Sequence, residues 1–348
     1  MTFRRFAACA AVLAAVASGG WVADASGEQR LDARYFRIGA GGAAGTYFPI
    51  ASLIAEGLTR PAGAECRETE NCGAPGLIAV AQTSNGSVSN VRSVVAGELE
   101  AALVQSDVAS WAYHGEAVFA DEPRLASLRA IASLYTESLH VVVRRDLGIK
   151  SIAGLKGLRI SLDEPGSGTL VDSRLVLAAS GLEEADLHPE YVKPALAATR
   201  MIDGRLDGFM IIVGYPALSI ERLAQDVEID LVPVDRRTAE MVRSVNPFMG
   251  ASSIPAGAYP GIGETATLHV AAQMVVDAAL SEQLVYDVSR ALWGERIGRL
   301  LRQGHPKGRL VLLDAALEGV TIPLHPGAAR FYREVGLLPS AGVGQPRD

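Results

Sequence analysis

The sequence predicts an α/β protein of two lobes, each with a mostly parallel sheet flanked by helices. Two stretches predict this fold class. Residues 158–162 have the pattern of a strand, and the glycine-containing loop 163–169 leads from them into a helix. The same order of strand, glycine loop and helix occurs at residues 36–56. Because one such unit stands in each half of the chain, the two loops are expected to face each other across a binding cleft.

Length and composition are those of a globular protein with room for two cores. The chain has 348 residues, of which 49% are hydrophobic and 20% are charged. Its net charge of −7 disfavours a nucleic-acid partner, because proteins that bind nucleic acid carry a basic surface.

The N-terminus has the pattern of a secretory signal. Arg4 and Arg5 precede the apolar run 6–16, and residues 23–25 form a small-residue cleavage site. The sequence therefore predicts a signal peptide at 1–25 and a soluble mature chain in the periplasm. A membrane anchor is the alternative, although the apolar run is shorter than the roughly 18 residues that span a bilayer.

Two cysteines remain after the predicted signal, Cys66 and Cys72, and they flank a charged loop. Export would place them in an oxidising compartment, which favours a disulfide. The alternative is a pair of metal ligands, but no histidine or further cysteine stands nearby to complete a site. We predict a disulfide and no metal centre.

The first half contains three strand-like runs, 35–39, 77–82 and 101–105, each followed by a helical segment. In parallel sheets, ligands bind outside the carboxyl ends of the strands. Polar residues gather at those positions, namely Thr46, Ser87, Asn90, Gln105, Ser106 and Asp107. Each one alone is better explained as a turn or cap residue, whereas their joint placement favours a binding site.

The second half begins with two strand-like runs, 128–134 and 140–144, separated by the polar segment 135–138. This segment is interpreted as the first crossing between lobes, with a return crossing near 268–276. Residues 282–301 have the pattern of one long amphipathic helix with Ser281 as its cap.

The loop before the helix of the second unit favours an anionic ligand. Gly166 and Gly168 allow the backbone to approach a ligand, and Ser167 and Thr169 supply hydroxyl groups. Unpaired amides at the helix start attract negative charge. No arginine stands in the glycine loops or at the strand ends named above, so neutral donors are expected to hold the anion.

Enzyme and cofactor chemistry are disfavoured. Gly39, Gly41 and Ala44 nominally fit a dinucleotide fingerprint, but the acidic residue expected at the end of a second strand is missing. Ser167 lacks the first glycine of a nucleophile elbow. The histidines have neither the spacing of a zinc site nor a predictable pairing with Ser167. We predict no catalytic residue and no cofactor.

At the level of motifs, the sequence resembles the TAXI family of extracytoplasmic solute-binding proteins, which serve tripartite ATP-independent periplasmic (TRAP) transporters. The resemblance covers nearly the whole mature chain. It rests on GGAAGTYFP (41–49), GSVSN (86–90), QSDVA (105–109), SLY (133–135) with His140, GLKG (154–157), PGSGT (165–169), GYP (214–216), IPAGAY (254–259) and IPLHPG (322–327).

The resemblance implies a two-lobed periplasmic-binding-protein fold of type II with a hinge between the lobes. Lobe 1 would comprise residues 26–138 and 266–348, and lobe 2 residues 139–265. The implied function is capture of a small anionic solute, glutamate-like, a 2-oxoacid or a dicarboxylate, and its delivery by a monomeric protein to a TRAP permease. A sensor subunit for a membrane signalling protein and an exported enzyme on the same fold are the alternatives.

Strand-end positions and the resemblance together give the residues expected to contact the solute. They are Gly45, Thr46, Tyr47, Ser87, Asn90, Gln105, Ser106, Asp107, Tyr135, Ser167, Gly168, Thr169 and Gly214.

Overall fold

The computed structural model describes residues 34–66 and 72–339. The predicted signal peptide at 1–25 lies outside these residues. Within the described ranges, no helix is long and apolar enough to cross a membrane.

The described residues form ten strands, most of them short. They are β1 (Arg34–Gly39), β2 (Leu77–Gln82), β3 (Ala101–Gln105), β4 (Leu128–Arg144), β5 (Arg159–Ser161), β6 (His188–Glu190), β7 (Gly208–Val213), β8 (Ile229–Leu231), β9 (Gly250–Ile254) and β10 (Thr265–Asp277).

Helices follow most of these strands, again counting only the described ranges. They are α1 (Tyr47–Leu58), α2 (Ser87–Val95), α3 (Ser106–His114), α4 (Gly168–Ala179), α5 (Pro194–Ile202), α6 (Leu218–Asp226), α7 (Arg236–Val245), α8 (Glu282–Leu292), α9 (Glu295–Gly304) and α10 (Pro326–Glu334).

The predicted fold class is confirmed: parallel strands in each half alternate with flanking helices. The first strand group, β1–β3, pairs in parallel, and so does the second strand group, β5–β7. The long strands β4 and β10 run antiparallel between the two groups, in the order β2-β1-β3-β10-β4-β7-β5-β6. The structure therefore joins the two predicted sheets into one hydrogen-bonded sheet.

Strand β4 corrects one sequence prediction. Residues 128–144 form a single strand, so the polar segment 135–138 is not a break. Tyr135 pairs with Ala272 and Ser138 with His269 of β10, and Tyr135, Glu137 and Ser138 are buried. The partner strand supplies the backbone hydrogen bonds, so the polar side chains do not end the strand.

Each strand group carries helices on both faces, which gives four apolar clusters. Helices α1, α8 and α10 cover one face of the first group, while α2 and α3 cover the other. In the second group, α4 and α7 pack on one face and α5 and α6 on the other. Buried faces on both sides explain why these strands are nearly continuously apolar.

The predicted helix 282–301 is two helices in the structure. Ser281 does cap the first one, since its Oγ accepts a hydrogen bond from the amide of Leu284 at 3.3 Å. The break falls at Trp293 and Gly294, where Gly294 is the extended N-cap of α9. The indole of Trp293 donates to the hydroxyl of Tyr332 at 3.0 Å, which fixes the turn against α10.

Candidate functional site

A cavity of about 530 Å³ lies at the carboxyl ends of the parallel strands. Both strand groups contribute to its wall. The first supplies the loop 41–47 and residues 85–87, and the second supplies residues 163–169 and 211–213. This is the position at which open α/β sheets bind ligands.

Five helices begin at this cavity. Residues at the starts of α1, α2, α4, α5 and α6 line it, and each helix has nine or more residues. No side chain caps the first amides of α1, α2, α5 or α6. The convergence of helix starts gives the wall a positive potential and free donor groups.

The loop before α4 packs closely against the first strand group. Gly166 has a φ of +94°, and a Cβ there would lie 2.2 Å from Oγ of Ser89. Its carbonyl accepts a hydrogen bond from the amide of Ser89 at 2.9 Å. The hydroxyl of Thr46 donates to the carbonyl of Gly214 at 3.0 Å. The two strand groups are thus in direct contact around the cavity.

Eight of the residues predicted to contact a solute line the cavity. They are Gly45, Thr46, Tyr47, Ser87, Gln105, Ser167, Gly168 and Thr169. Ser167 is also the cap of α4, because its Oγ accepts from the amide of Leu170 at 3.0 Å. The position of Ser87 is compatible with a helix cap, but Gly86 is the N-cap of α2 in the structure. Oγ of Ser87 instead accepts a hydrogen bond from the amide of Gln105 at 3.1 Å.

Two predicted residues are placed behind the cavity wall. Asn90 is fully buried, and its amide donates to the carbonyls of Ala40 and Leu103 at 2.6 and 2.8 Å. It therefore braces the glycine loop from below. The hydroxyl of Tyr135 is buried and has no hydrogen-bond partner among the described residues.

Three further predicted residues also lie outside the lining. Ser106 accepts a hydrogen bond on its carbonyl from the hydroxyl of Thr321 at 2.7 Å. The carbonyl of Gly214 accepts a hydrogen bond from the hydroxyl of Thr46. Asp107 is fully buried and accepts from the amide of Val108 at 2.7 Å. Strand-end position alone does not separate residues that face the cavity from those that face the protein.

Asp107 belongs to a buried carboxyl pair that links the two strand groups. Its Oδ2 accepts from the side-chain amide of Asn246, and Oδ2 of Asp172 accepts from that of Gln105, both at 2.9 Å. Burial raises the pKa of Asp107 and raises that of Asp172 well above its ordinary value. The neighbouring carboxyl of Asp107 adds to the rise for Asp172, because two like charges close together disfavour the ionised form.

Sequence reasoning missed the charged residues of the lining. Glu137 and Asp163 are 2% and 8% exposed, while Lys193 and Arg222 are more exposed. Glu137 stands inside what reads as a crossing, and Lys193 and Arg222 lie on segments with no motif. Asp163 and Glu164, which also lines the cavity, are the ones with a signal, since both stand in the glycine loop 163–169 that was singled out.

Burial shifts the titration of the deepest groups. It raises the pKa of Glu137 to about 8 and that of Asp163 to about 7. Burial also lowers the pKa of Lys307 to about 8, with Glu137 opposing that shift. The ammonium of Lys307 lies 3.7 Å from the ring centroid of Tyr215, over its face.

A family model matches residues 38–336, and the chain therefore belongs to the NMT1-like family.

Several solved structures have a similar course of the chain at low sequence identity. The alkanesulfonate-binding protein SsuA from Xanthomonas axonopodis pv. citri is 15% identical, with 88% of this chain and 80% of that chain covered and a TM-score of 0.45. The aliphatic sulphonate-binding protein SsuA from Escherichia coli is 14% identical, with coverages of 86% and 82% and a TM-score of 0.44. A binding protein of an ABC phosphonate transporter from Pseudomonas aeruginosa is 12% identical, with coverages of 78% and 79% and a TM-score of 0.45.

The family match corrects the identification made from sequence motifs. The chain is assigned to the NMT1-like family and not to the TAXI family. The TRAP permease expected as its partner rested only on that resemblance, and this prediction is wrong as well. The class of solute-binding protein does not depend on it.

Proposed function

We propose that this protein is exported and captures a small solute with an anionic group in the cavity between the two strand groups. One observation carries the proposal: five helix starts converge on a single cavity of about 530 Å³. The amides of α1, α2 and α4 supply donors, and the dipoles of these helices favour a negative charge there. A cavity of this size suits a small organic molecule.

Capture would occur by closure of two lobes, with the boundaries 26–138 plus 266–348 and 139–265. Contacts between the strand groups support this proposal, because Thr46–Gly214 and Ser89–Gly166 bonds join loops on opposite sides of the cavity. A solute that contacts both sides favours the closed arrangement by its differential affinity. Strands β4 and β10 are the segments about which the lobes would move.

Export is supported by the Cys66–Cys72 disulfide, since such bonds persist in oxidising compartments. The N-terminal signal pattern supports it from the sequence side. The periplasm is the proposed site of action.

Mass spectrometry of small molecules released by denaturing the purified protein tests this function. We expect about one small acid per chain. An Ala44→Trp variant, which fills the cavity, should release none, whereas Ala153→Trp at an exposed position elsewhere should match the wild type. Wild-type protein that releases no small molecule and binds no acid in calorimetry would refute the proposal.

A further inference from the structure

The cavity carries acids in its depth and bases on its more exposed side. Glu137 and Asp163 are almost completely buried, whereas the Lys193 side chain retains 44% of its exposure and Arg222 is exposed. Lys193 is paired with Glu164 at 3.3 Å. A solute that carried only negative charge would meet two carboxyl groups at the deep end.

Glu137 is a buried carboxyl with few protein contacts to account for its burial. Among the described residues, no salt bridge reaches it, and Lys307, the nearest source of opposing charge, lies over the ring of Tyr215 instead. The Tyr47 hydroxyl and the backbone of Gly214 favour its charged form through their proximity, although the Tyr47 hydroxyl is not within hydrogen-bond distance of a partner among the described residues. A carboxyl group has about four acceptor positions, so part of the capacity of Glu137 is unused.

Two tyrosines beside Glu137 have hydroxyl groups whose hydrogen-bonding capacity is also unused. The hydroxyls of Tyr47 and Tyr135 are buried and find no hydrogen-bond partner within the described part of the chain. Tyr47 lines the cavity. Burial and, after it, the charge of Glu137 raise the pKa of both tyrosines. Buried polar groups without partners are rare in folded proteins, so the Tyr47 hydroxyl at the cavity wall indicates a place for a bound molecule.

We propose that Glu137 accepts a hydrogen bond from a donor group of the solute, so that the cavity selects small acids that also carry an amino or hydroxyl group. This inference rests on the proposed function. The anionic end of the solute lies against the helix starts, and its donor group reaches the Glu137 carboxyl. An acid without the donor leaves that carboxyl unpaired in a buried place, which lowers its affinity.

Matched pairs of acids test the selection directly. Wild-type protein is incubated with a mixture of three matched sets, each a plain acid with its hydroxyl and amino counterparts. The sets are propionate with lactate and alanine; succinate with malate and aspartate; and glutarate with 2-hydroxyglutarate and glutamate. The acids that survive desalting are then quantified by mass spectrometry. We expect the donor-bearing members of a set to be retained about tenfold better than the plain acid, as the penalty for leaving a buried polar group without a partner predicts.

Three variants assign the selection to Glu137. Glu137→Met has similar volume and no acceptor, so it should lose the preference for both donors. Glu137→Gln keeps a carbonyl acceptor and remains near-isosteric; it should retain the preference for a hydroxyl and lose most of that for an ammonium. Glu116→Gln, at an exposed position, should behave as the wild type. Thermal unfolding checks that each variant is folded, and the Gln variant serves alone if Met disturbs the fold.

The outcomes separate this inference from the function on which it rests. Retention of plain acids as well as, or better than, their donor-bearing partners overturns the inference while the binding function stands. An unchanged preference in folded Glu137→Gln and Glu137→Met overturns it too, since another group must then read the donor. Wild-type protein that retains no acid at all overturns the binding function and the inference together.

Discussion

A Cβ at Gly168 would lie 1.5 Å from Oε1 of Gln105, so the start of α4 lies directly against the end of β3. This contact joins the second strand group to the first at the cavity wall. No side chain larger than hydrogen fits there without displacing Gln105, whose amide also holds Asp172. The glycine is therefore required by the approach of the two groups.

The first prediction follows from this contact. Gly168→Ala should weaken solute binding at least about tenfold, because overpacking at a tight contact costs about 1–3 kcal/mol. Gly263→Ala is the matched control, since no atom lies within 4 Å of a Cβ there. Calorimetry with the acid recovered from the wild type measures both. Equal affinities for the two variants would show that the contact plays no part in binding.

The second prediction concerns pH and the Asp107–Asp172 pair. Both folded-state pKa values are raised above the unfolded value of about 3.9. The folded protein binds these protons more tightly, so the pair's contribution to stability is present at low pH and is lost as pH rises above about 4. Glu137, on β4, interacts with Asp107, and its own raised pKa adds to the same fall of the free energy of unfolding with rising pH.

Urea unfolding at pH 5 to 8 measures how the free energy of unfolding changes with pH. Asp172→Asn should flatten part of the fall in the free energy of unfolding, because the amide needs no proton to face Asp107. Asp121→Asn, at an exposed position, should keep the wild-type slope. An unchanged dependence of the free energy of unfolding on pH in Asp172→Asn contradicts the assignment.

The third prediction separates Thr169 from Arg92. Oγ1 of Thr169 accepts from the amide of Ile212 at 3.0 Å and lines the cavity. Thr169→Val leaves that buried amide unpaired, which should lower the free energy of unfolding by about 1–3 kcal/mol. It should also weaken solute binding roughly tenfold to a hundredfold, because a charged acceptor loses its donor.

Arg92 is the contrasting residue, since it forms an exposed ion pair with Glu122 at 2.6 Å. Arg92→Ala should leave the affinity unchanged, because exposed pairs are worth about 0–1 kcal/mol and this one is outside the cavity. Calorimetry and urea unfolding on both variants measure these effects. Loss of binding in Arg92→Ala with normal binding in Thr169→Val would show that Arg92, and not Thr169, contributes to solute binding.

The fourth prediction concerns the disulfide. Cys66 and Cys72 are bonded in the structure, as predicted, and close a short loop. Protein that lacks residues 1–25 should show no free thiol when denatured without reductant, and two after reduction. Reduction should lower stability by about 2 kcal/mol, since short loops gain least from a cross-link. Two free thiols before reduction would show that the bond does not form.

Local patterns predicted the elements of the first half well. The bounds Leu77–Gln82 and Ala101–Gln105 agree with the predicted ones. In these segments the apolar period and the glycine or polar turns point to the same structure. Prediction failed where a distant partner decides, as in β4, whose polar centre is held by β10, and at Trp293, where contact with Tyr332 fixes a break.

The candidate site was predicted in part for the same reason. Thr46 and Ser167 have local signatures, because each stands in a glycine loop before a helix. Glu137 has none: its sequence neighbours Thr136 and Ser138 look like a polar turn, and only the pairing of β4 with β10 buries it. Charged groups brought to a cavity by long-range pairing are not visible in a local pattern.

A crystal structure of the protein loaded with its released solute would show whether the helix starts hold the anion. We expect solute density in the 530 Å³ cavity, with the anionic group within about 3 Å of backbone amides at the starts of α1, α2 or α4. Solute bound elsewhere, or in the cavity with its anionic group away from every helix start, would contradict this expectation.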